Sequence, residues 1–473
     1  MKIHYDLVII GAGPAGIAAA IAAAKHRLSV LIIGEQQDPG GQIYRNIENV
    51  DSDQVNNQGP EYSRGRSLIK AFRQAKVDYL YDATVWHVQV ETTFIVSYIL
   101  DNDAGQVRSN RLIIATGARE RPFAIPGWTL PGVMAATAAE ILLKSNNIIP
   151  EGDIVLAGSG PLLLLVANHL ISAGAPVRAV LDSTPFSNYL VSLKHLPNAL
   201  RSFAYLYEGI QMIQKIRKHG IQIYNNVKKI EALGGNSVEN VRFQHSGRIQ
   251  EIKTSTLLLH NGLVPDTQMS FLINCDHEWY EIQRYWRPVV DKWGNTSIDG
   301  VGVAGDAAGI SGGVAAEISG YLAGIEAAFS LKMISDEERD SIAKPLQKQL
   351  DRDAHIRPFL DHLFKPSADL LVPRDTQTIV CRCEEVTLQQ ITTALQSGAL
   401  NPNQLKAQIR CGMGPCQGRM CGLTVSEIIA DYRKMNIADV GYFRIRPPLK
   451  PITMEQLSKL QLLGQLENAN DIC

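Results

Sequence analysis

The chain has 473 residues, a length that predicts about three domains at roughly 100–200 residues each. Its 46 lysines and arginines nearly balance 47 aspartates and glutamates, and 45% of its residues are apolar. That composition is typical of a globular protein and excludes a long disordered chain. A net charge of −1 lacks the basic excess of a nucleic-acid-binding protein, so we expect small molecules and other proteins as partners.

The first residues carry no secretory signal pattern, since no charged region precedes an apolar run and a cleavage site. No stretch approaches the ~18 apolar residues that a transmembrane helix needs. We therefore expect a cytoplasmic protein without a transmembrane segment. Any contact with a membrane would be peripheral.

The first predicted elements are a strand, a glycine turn, an alanine-rich helix and a second strand at residues 28–33. The turn reads GAGPAG at residues 11–16 and directly follows the apolar run at residues 5–10. Strand, turn, helix and strand in about 30 residues form a βαβ unit, which predicts a parallel sheet.

The glycine spacing in this turn is typical of dinucleotide binding. Gly11 permits a tight turn, Gly13 lets backbone approach a pyrophosphate, and Gly16 allows close helix packing. Glu35 lies 19 positions after Gly16, at the end of the second strand, where an acid binds the ribose hydroxyls of an adenine dinucleotide. The predicted cofactor-binding residues of this unit are Gly11, Gly13, Pro14, Ala15, Gly16 and Glu35.

A second copy of the pattern occupies residues 154–181, again as strand, turn, helix and strand. Gly158 and Gly160 keep the first two glycines, but Leu163 stands in the place of the third. The unit predicts a second Rossmann-like domain. It leaves open whether that domain binds NAD, another adenine nucleotide or no ligand.

Two further strands end in small residues, at residues 112–117 and 302–306. Small residues at a strand end let backbone come close to another group. Residues 331–375, with a charged run and scattered prolines, predict a connector. The candidate cofactor-binding residues at the two strand ends are Ala115, Thr116, Gly117, Gly305 and Asp306.

Five of the seven cysteines fall within residues 381–421, in two loops that each precede a predicted helix. Disulfide frameworks do not cluster in this way in a large chain, so the pattern favours a metal or cluster site. Four converging thiolates suit a [2Fe-2S] cluster, and tetrahedral zinc is the alternative. Spacing alone does not choose between Cys411/Cys416 and Cys416/Cys421 as the second pair of ligands.

Together these motifs resemble the glutathione and thioredoxin reductase superfamily, α/β flavoproteins with two Rossmann-like dinucleotide-binding domains. The resemblance implies FAD on the first domain, with Asp306 at its ribitol and phosphate region and with Gly41 and Gln42 beside the isoalloxazine. The chain departs from the disulfide reductases of that superfamily, because it has no cysteine before Cys275 and no CxxC. Disulfide reduction is therefore excluded.

We expect five parts in the chain. They are an FAD-binding domain (1–135 and 270–330), a second nucleotide-binding domain (136–269), a connector (331–375), a small helical [2Fe-2S] module (376–435) and a C-terminal tail (436–473).

A narrower resemblance covers nearly the whole chain. The segments PGGQIYR at 39–45, GSGPLL at 158–163, GLVP at 262–265 and the cysteine loop at 411–421 are similar to the alpha (A) subunit of opine oxidase, hydrogen cyanide synthase and hydroxyproline or proline dehydrogenase. In that family Leu163 is the usual residue at its position.

The family resemblance implies an electron-transferring subunit of a heteromer. Its beta subunit, which is glycine/sarcosine oxidase-like and carries its own FAD, would oxidise the C–N bond of an amino acid or opine. Some relatives place FMN at the subunit interface, and further implied partners are a separate electron acceptor and a small ferredoxin-like third subunit. No residue of this chain is nominated as catalytic.

The cysteine segment resembles the bacterioferritin-associated ferredoxin-like (BFD-like) [2Fe-2S] module. That resemblance implies Cys381, Cys383, Cys416 and Cys421 as ligands and leaves Cys411 as a nearby free thiol. Two other interpretations stay open. One is a self-contained NAD(P)H-dependent flavin and iron-sulfur reductase that serves a protein acceptor, and the other is a scaffold whose nucleotide and metal are structural.

Overall fold

A computed structural model describes residues 2–50 and 60–460. The first domain is built on a seven-stranded sheet, in which the first strand and its neighbours are parallel and a β-meander forms one side. Gly11–Gly16 follow its central strand, as the sequence predicts. In spatial order the strands are Asp78–Leu80, Val30–Ile33, His4–Ile10, Asp103–Ile114, Phe94–Leu100 and Ala83–Val90, and Val301–Val303 also pairs with Asp103–Ile114.

Three helices belong to this domain: Pro14–Lys25, Pro60–Gln74 and Gly313–Ser330. The first and last of them pack against each other over a core of small residues. The predicted strand, helix and strand of the first βαβ unit are confirmed.

The second domain has a five-stranded parallel sheet flanked by helices, and a three-stranded antiparallel sheet. The parallel strands, in spatial order, are Gln222–Tyr224, Val177–Asp182, Ile154–Ser159, Thr256–Asn261 and Val133–Ala135. The antiparallel strands are Lys228–Leu233, Asn240–His245 and Arg248–Lys253. The helices are Ala136–Asn146, Pro161–Ser172, Phe186–Ser192, Leu196–Ala199 and Phe203–Lys218, with 3₁₀ turns at Leu193–His195 and Leu200–Ser202.

An antiparallel ribbon of Ala118–Glu120 with Leu263–Pro265 joins the two domains. After it come helix Gln268–Leu272, the hairpin strands His277–Tyr280 and Tyr285–Pro288, and the 3₁₀ turn Gly305–Ala307. The predicted connector is helical, with helices Asp336–Ala354, Arg357–Leu363 and Ala368–Leu371.

The cysteine module begins with the paired strands Ile379–Cys381 and Val386–Thr387. Its helices are Leu388–Gln396, Pro402–Ile409, Gly422–Arg433 and Ile437–Val440, and Met454–Ser458 follows in the tail. A capping box at Thr387 starts the first of these helices. The last part of the predicted tail, residues 461–473, lies outside the described residues.

The module and the first domain share one apolar core. Val8 and Val96 of the first sheet belong to the same buried cluster as Leu388, Ile428 and Phe443 of the module. The second domain keeps separate cores on the two faces of its sheet.

Candidate functional site

The first glycine turn is shaped for close backbone approach. A Cβ atom added at Gly11 would lie 2.3 Å from the carbonyl oxygen of Ala115, and one at Gly16 would lie 1.9 Å from the carbonyl oxygen of Gly11. Gly11 also has φ near +108°, which only glycine adopts readily. The turn therefore holds the N-terminus of helix Pro14–Lys25 against the strand end at Ala115.

The loop that contains Gly41 and Gln42 closes over this turn. A Cβ at Gly41 would lie 2.8 Å from the Cα of Gly13, and the Gly40 amide donates to the Ala12 carbonyl at 2.8 Å. Gln42 is exposed and accepts a hydrogen bond from Arg45. The backbone contacts fix the loop beside the predicted pyrophosphate position.

Glu35 follows strand Val30–Ile33, where the ribose of an adenine nucleotide is expected. Its carboxylate forms an ion pair with Lys450 of the C-terminal tail. The Leu449 amide donates to the Trp86 carbonyl at 2.9 Å, which ties the tail to the first domain. The tail therefore reaches the adenosine end of the predicted site, a contact that local sequence does not reveal.

The predicted residues at the two later strand ends lie beside the first glycine turn. Asp306 is half-buried, and its Oδ1 accepts hydrogen bonds from the amides of Ser311 at 2.9 Å and Gly312 at 3.2 Å. Burial raises the pKa of the Asp306 carboxyl. Neither hydrogen bond uses Oδ2, so that oxygen is left for a ligand hydroxyl.

These glycine contacts and the oriented carboxyl make a cradle that fits an extended dinucleotide. A side chain at Gly11 or Gly16 would collide with backbone, whereas one at Gly13 or Gly117 would meet little or nothing within 4 Å. Gly11 and Gly16 are therefore needed for close packing of the fold, whereas Gly13 and Gly117 border space that a cofactor can occupy.

The second glycine turn keeps the same backbone form. Gly158 and Gly160 have φ near +139° and +124°, and a Cβ at Gly158 would lie 1.6 Å from the carbonyl oxygen of His260. Leu163 is 1% exposed and packs into the core beneath the turn. The missing third glycine is therefore explained by core packing.

A buried polar pair lies at this second turn. His260 Nδ1 bonds Glu120 Oε1 at 2.5 Å, while the other Glu120 oxygen accepts from the Thr137 amide at 3.0 Å. His260 Nε2 lies 3.1 Å from the position of a Cβ at Gly160. Glu120 and His260 are separated by 140 residues in sequence, so no local motif could reveal them.

The five clustered cysteines fall into two groups within the cysteine module. The sulfurs of Cys381, Cys411 and Cys421 lie within 4.8 Å of one another, and all three residues are buried. Cys383 and Cys416 lie together nearer the surface and share a thiol hydrogen bond. The arrangement offers one outer pair and an inner group of three.

Backbone and thiol donors surround the inner sulfurs. The Gly412 amide donates to Cys381 Sγ at 3.5 Å, and hydrogen bonds from the Cys411 and Cys421 thiols hold the pKa of Cys381 well below its usual range. A Cβ at Gly414 would lie 2.2 Å from the Cys383 Cβ, so glycine is needed there for the two loops to meet. Donors that point at the sulfurs and a dense thiol set fit a metal or iron-sulfur cluster.

A short chain of contacts joins the cysteine module to the strand end at Thr116. Tyr442 is half-buried, with its hydroxyl 3.5 Å from the Gly418 carbonyl and 3.4 Å from Arg119 Nη2. Arg119 Nη1 lies 3.8 Å from Asp266 Oδ1, and Thr116 Oγ1 donates to the Asp266 carbonyl at 3.1 Å. Tyr442 and Arg119 lie too far apart in sequence to be paired from motif spacing.

Two Rossmann-like domains with a cysteine module define a flavoprotein oxidoreductase, and the comparisons with known proteins agree. A family model described as pyridine nucleotide-disulphide oxidoreductase matches residues 5–329, and one described as the sarcosine oxidase A3 domain matches residues 375–459.

The chain belongs to the family of the alpha (A) subunit of opine oxidase, within the pyridine nucleotide-disulphide oxidoreductases. It is 42% identical to the alpha (A) subunit of opine oxidase from Agrobacterium tumefaciens, over 96% of this chain and 92% of that protein. It is 30% identical to hydrogen cyanide synthase subunit HcnB of Pseudomonas aeruginosa, over 96% of this chain and 98% of that protein. The predicted family is confirmed, and membership implies FAD as a cofactor.

Solved structures agree with the fold. L-proline dehydrogenase from P. horikoshii superposes with a TM-score of 0.69 at 19% identity, over 96% of this chain and 79% of that chain. Thioredoxin reductase from T. acidophilum superposes with a TM-score of 0.51 at 20% identity, over 70% of this chain and 100% of that chain. The predicted α/β class is confirmed. Within the described residues, no helix has the length and apolar character needed to cross a membrane.

Proposed function

We propose that this chain is the electron-transferring alpha subunit of a heteromeric flavin-dependent dehydrogenase or oxidase that acts on the C–N bond of an amino acid or opine. The observation that carries the proposal is the physical continuity between the cysteine module and the first domain. The two parts share an apolar core, and the contacts from Tyr442 through Arg119 to Asp266 lead from the cysteine loop to Thr116.

The first domain would hold FAD along the cradle formed by the first glycine turn. Glu35 would accept hydrogen bonds from the ribose, the amides of helix Pro14–Lys25 would face the pyrophosphate, and Asp306 Oδ2 would accept from the ribityl chain. When bound, FAD accepts an electron pair that an iron-sulfur cluster can take one electron at a time. This chain's residues would bind and orient the cofactor.

The cysteine module would hold the [2Fe-2S] cluster through Cys381, Cys383, Cys416 and Cys421. Cys383 and Cys416 form the outer pair, and Cys381 with Cys421 would form the inner pair. Cys421 is the N-cap of helix Gly422–Arg433, so the helix dipole would stabilise a cluster-bound thiolate there, although hydrogen bonds with Cys381 and Cys411 raise the pKa of the free thiol. Cys411 has no helix N-terminus of its own, which supports its assignment as the free thiol.

C–N bond oxidation would take place in a beta subunit with its own FAD. Support comes from the names of the relatives, which are subunits of opine oxidase, hydrogen cyanide synthase and sarcosine oxidase. An FMN at the subunit interface, a nucleotide at Gly158 and Gly160, and a ferredoxin-like third subunit remain predictions of the same proposal.

The test is an anaerobic visible spectrum of the purified chain. We expect flavin and cluster bands that stay oxidised when NADH is added, and that bleach when the beta subunit is co-expressed and its amino acid or opine is supplied. Rapid bleaching by NADH alone would instead identify a self-contained reductase and refute the proposal. A colourless protein that contains zinc would support the scaffold interpretation.

A further inference from the structure

The second domain exposes a large apolar surface on one segment, residues 186–210. Of the 22 large apolar side chains that are exposed in residues 2–50 and 60–460, nine lie in this segment. The remainder are scattered over the rest of the described chain. Single exposed apolar residues are ordinary, but a contiguous set marks an interaction site. Seven members of this apolar patch are each more than half exposed: Phe186, Leu190, Leu193, Leu200, Phe203, Tyr207 and Ile210.

The inner side of the segment is fixed to the helical connector. Asn188 donates to the carbonyl oxygens of Leu363 and Lys365 at 3.1 and 2.9 Å, and the rings of His195 and His362 stack at 4.4 Å. The Tyr205 hydroxyl bonds Asp353 at 2.6 Å. Because these contacts hold the polar side of the segment, its apolar side is presented outward as a defined surface.

Helix Phe203–Lys218 shows the same division along its length. Phe203, Tyr207 and Ile210 are exposed at intervals of four and three residues, so they lie on one face of the helix. Arg217, seven residues after Ile210, continues that face at the C-terminal end. The helix therefore exposes an apolar stripe that ends in basic residues, as helices lying in a membrane interface do.

The charge of this region is opposite to that of the rest of the chain. Residues 186–218 contain five lysines and arginines and one acid, Glu208, which gives +4, whereas the whole chain carries −1 and the remainder therefore −5. Within the described residues, Lys194, Arg201 and Arg217 form no ion pair with an acidic side chain. Unpaired cations beside an apolar surface are complementary to anionic lipid headgroups.

We infer that residues 186–218 dock this protein on an anionic lipid bilayer. The apolar patch would enter the headgroup and acyl boundary, and Lys194, Arg201 and Arg217 would meet the lipid phosphates. The two exposed tyrosines, Tyr189 and Tyr207, suit the polar edge of such an interface. A protein interface is disfavoured as the occupant because lysine is depleted where proteins meet, whereas here three lysines, Lys194, Lys215 and Lys218, accompany the apolar residues.

The experiment is co-sedimentation of the full chain with vesicles. Vesicles of phosphatidylcholine with phosphatidylglycerol are compared with vesicles of phosphatidylcholine alone, at low and high salt. We expect binding to the anionic vesicles that high salt weakens. The double variant Lys194→Gln/Arg201→Gln should weaken it by about thirtyfold, and Leu190→Ser/Phe203→Ser should abolish it.

Ile249→Ser is the matched control, since Ile249 is an equally exposed apolar residue elsewhere on the second domain. It should leave vesicle binding unchanged, and circular dichroism checks that every variant folds. Absence of binding to anionic vesicles, or binding that the patch variants leave unaltered, would overturn the inference. A concentration-dependent dimer that the same variants dissociate, without vesicle binding, would assign the surface to a second copy and also overturn it. The measurement needs no cofactor or substrate, so its failure would leave the proposed function untouched.

Discussion

Cys411 and Cys421 are equally buried and both lie close to Cys381, and their hydrogen bonds with Cys381 raise the pKa of both thiols. Only Cys421 caps a helix of 12 residues, whose N-terminus stabilises a negative sulfur. We predict that Cys421→Ser loses the cluster, whereas Cys411→Ser keeps it. The measurement is iron per chain together with the visible spectrum.

If only Cys411→Ser loses the cluster, the fourth ligand is Cys411 and not Cys421. Cys275→Ser is a suitable control for general thiol loss, because Cys275 is buried in the first domain and belongs to neither group of clustered sulfurs.

His277 is the residue whose protonation should couple most clearly to stability. Burial lowers the pKa of His277 to about 4, and its ring nitrogens bond Ser270 at 2.8 Å and the Cys275 carbonyl at 2.7 Å. As pH falls below about 6.5, the unfolded chain takes up the proton before the folded chain does. We therefore predict that about 2–3 kcal/mol of stability, fully present above pH ~6.5, is lost by pH ~4.

Chemical denaturation at several pH values measures this loss. His277→Gln retains a polar side chain but cannot take up the proton, so its stability should fall less steeply between those pH values. Equal pH slopes for the wild type and the variant would assign the acid sensitivity to other groups.

At the scale of elements, the first domain depends on the close packing of helices Pro14–Lys25 and Gly313–Ser330. A Cβ at Gly320 would lie 2.0 Å from the carbonyl oxygen of Ala15, and one at Gly324 would lie 2.4 Å from that of Ala19. Backbone cannot yield as a flexible side chain can. We predict that Gly320→Ala separates the helices, lowers the free energy of unfolding by about 3 kcal/mol and reduces flavin content.

Gly209→Ala is the control for that substitution, because Gly209 is also helical and a Cβ there meets nothing within 4 Å. It should raise stability slightly, by up to about 1 kcal/mol, through helix propensity. Urea midpoints and flavin absorbance of the two variants give the comparison. A Gly320→Ala protein as stable as Gly209→Ala would show that the helix pair can relax.

At the scale of the whole molecule, the module and the first domain should unfold together. Ile428 of the module is 2% exposed and lies in the same buried cluster as Phe94 and Val96 of the first sheet. We predict that Ile428→Ala costs about 2–5 kcal/mol and speeds hydrogen exchange in strand Phe94–Leu100 as well as in the module.

Leu170→Ala is the counterpart in the second domain, where Leu170 is fully buried in a separate core. Its effect on exchange should concentrate in the second domain. Mass spectrometry of peptides from each region reports both effects. If Ile428→Ala leaves hydrogen exchange in Phe94–Leu100 unchanged, the shared core does not couple the module to the first domain.

Much of the fold was predictable because its signals are local. The glycine turns at Gly11 and Gly158 follow apolar strands, and each requires a φ that favours glycine, so strand, turn and helix could be placed from sequence. The sequence also shows that Leu163 replaces the third glycine of the motif, but it does not show why. Only the packed core shows that this side chain fills space beneath the second turn.

The sequence by itself determined the two Rossmann-like units, the family resemblance and the region in which the cysteines meet, because each depends on residues that are close in the chain. The tertiary structure decided which cysteine sulfurs lie together and that Lys450 forms an ion pair with Glu35. It also decided that His260 is hydrogen-bonded to Glu120 at the second turn. It also decided that Tyr442 and Arg119 join the module to the first domain. These contacts link residues more than 100 positions apart or depend on side-chain orientation, and only the packing of whole elements brings such groups together.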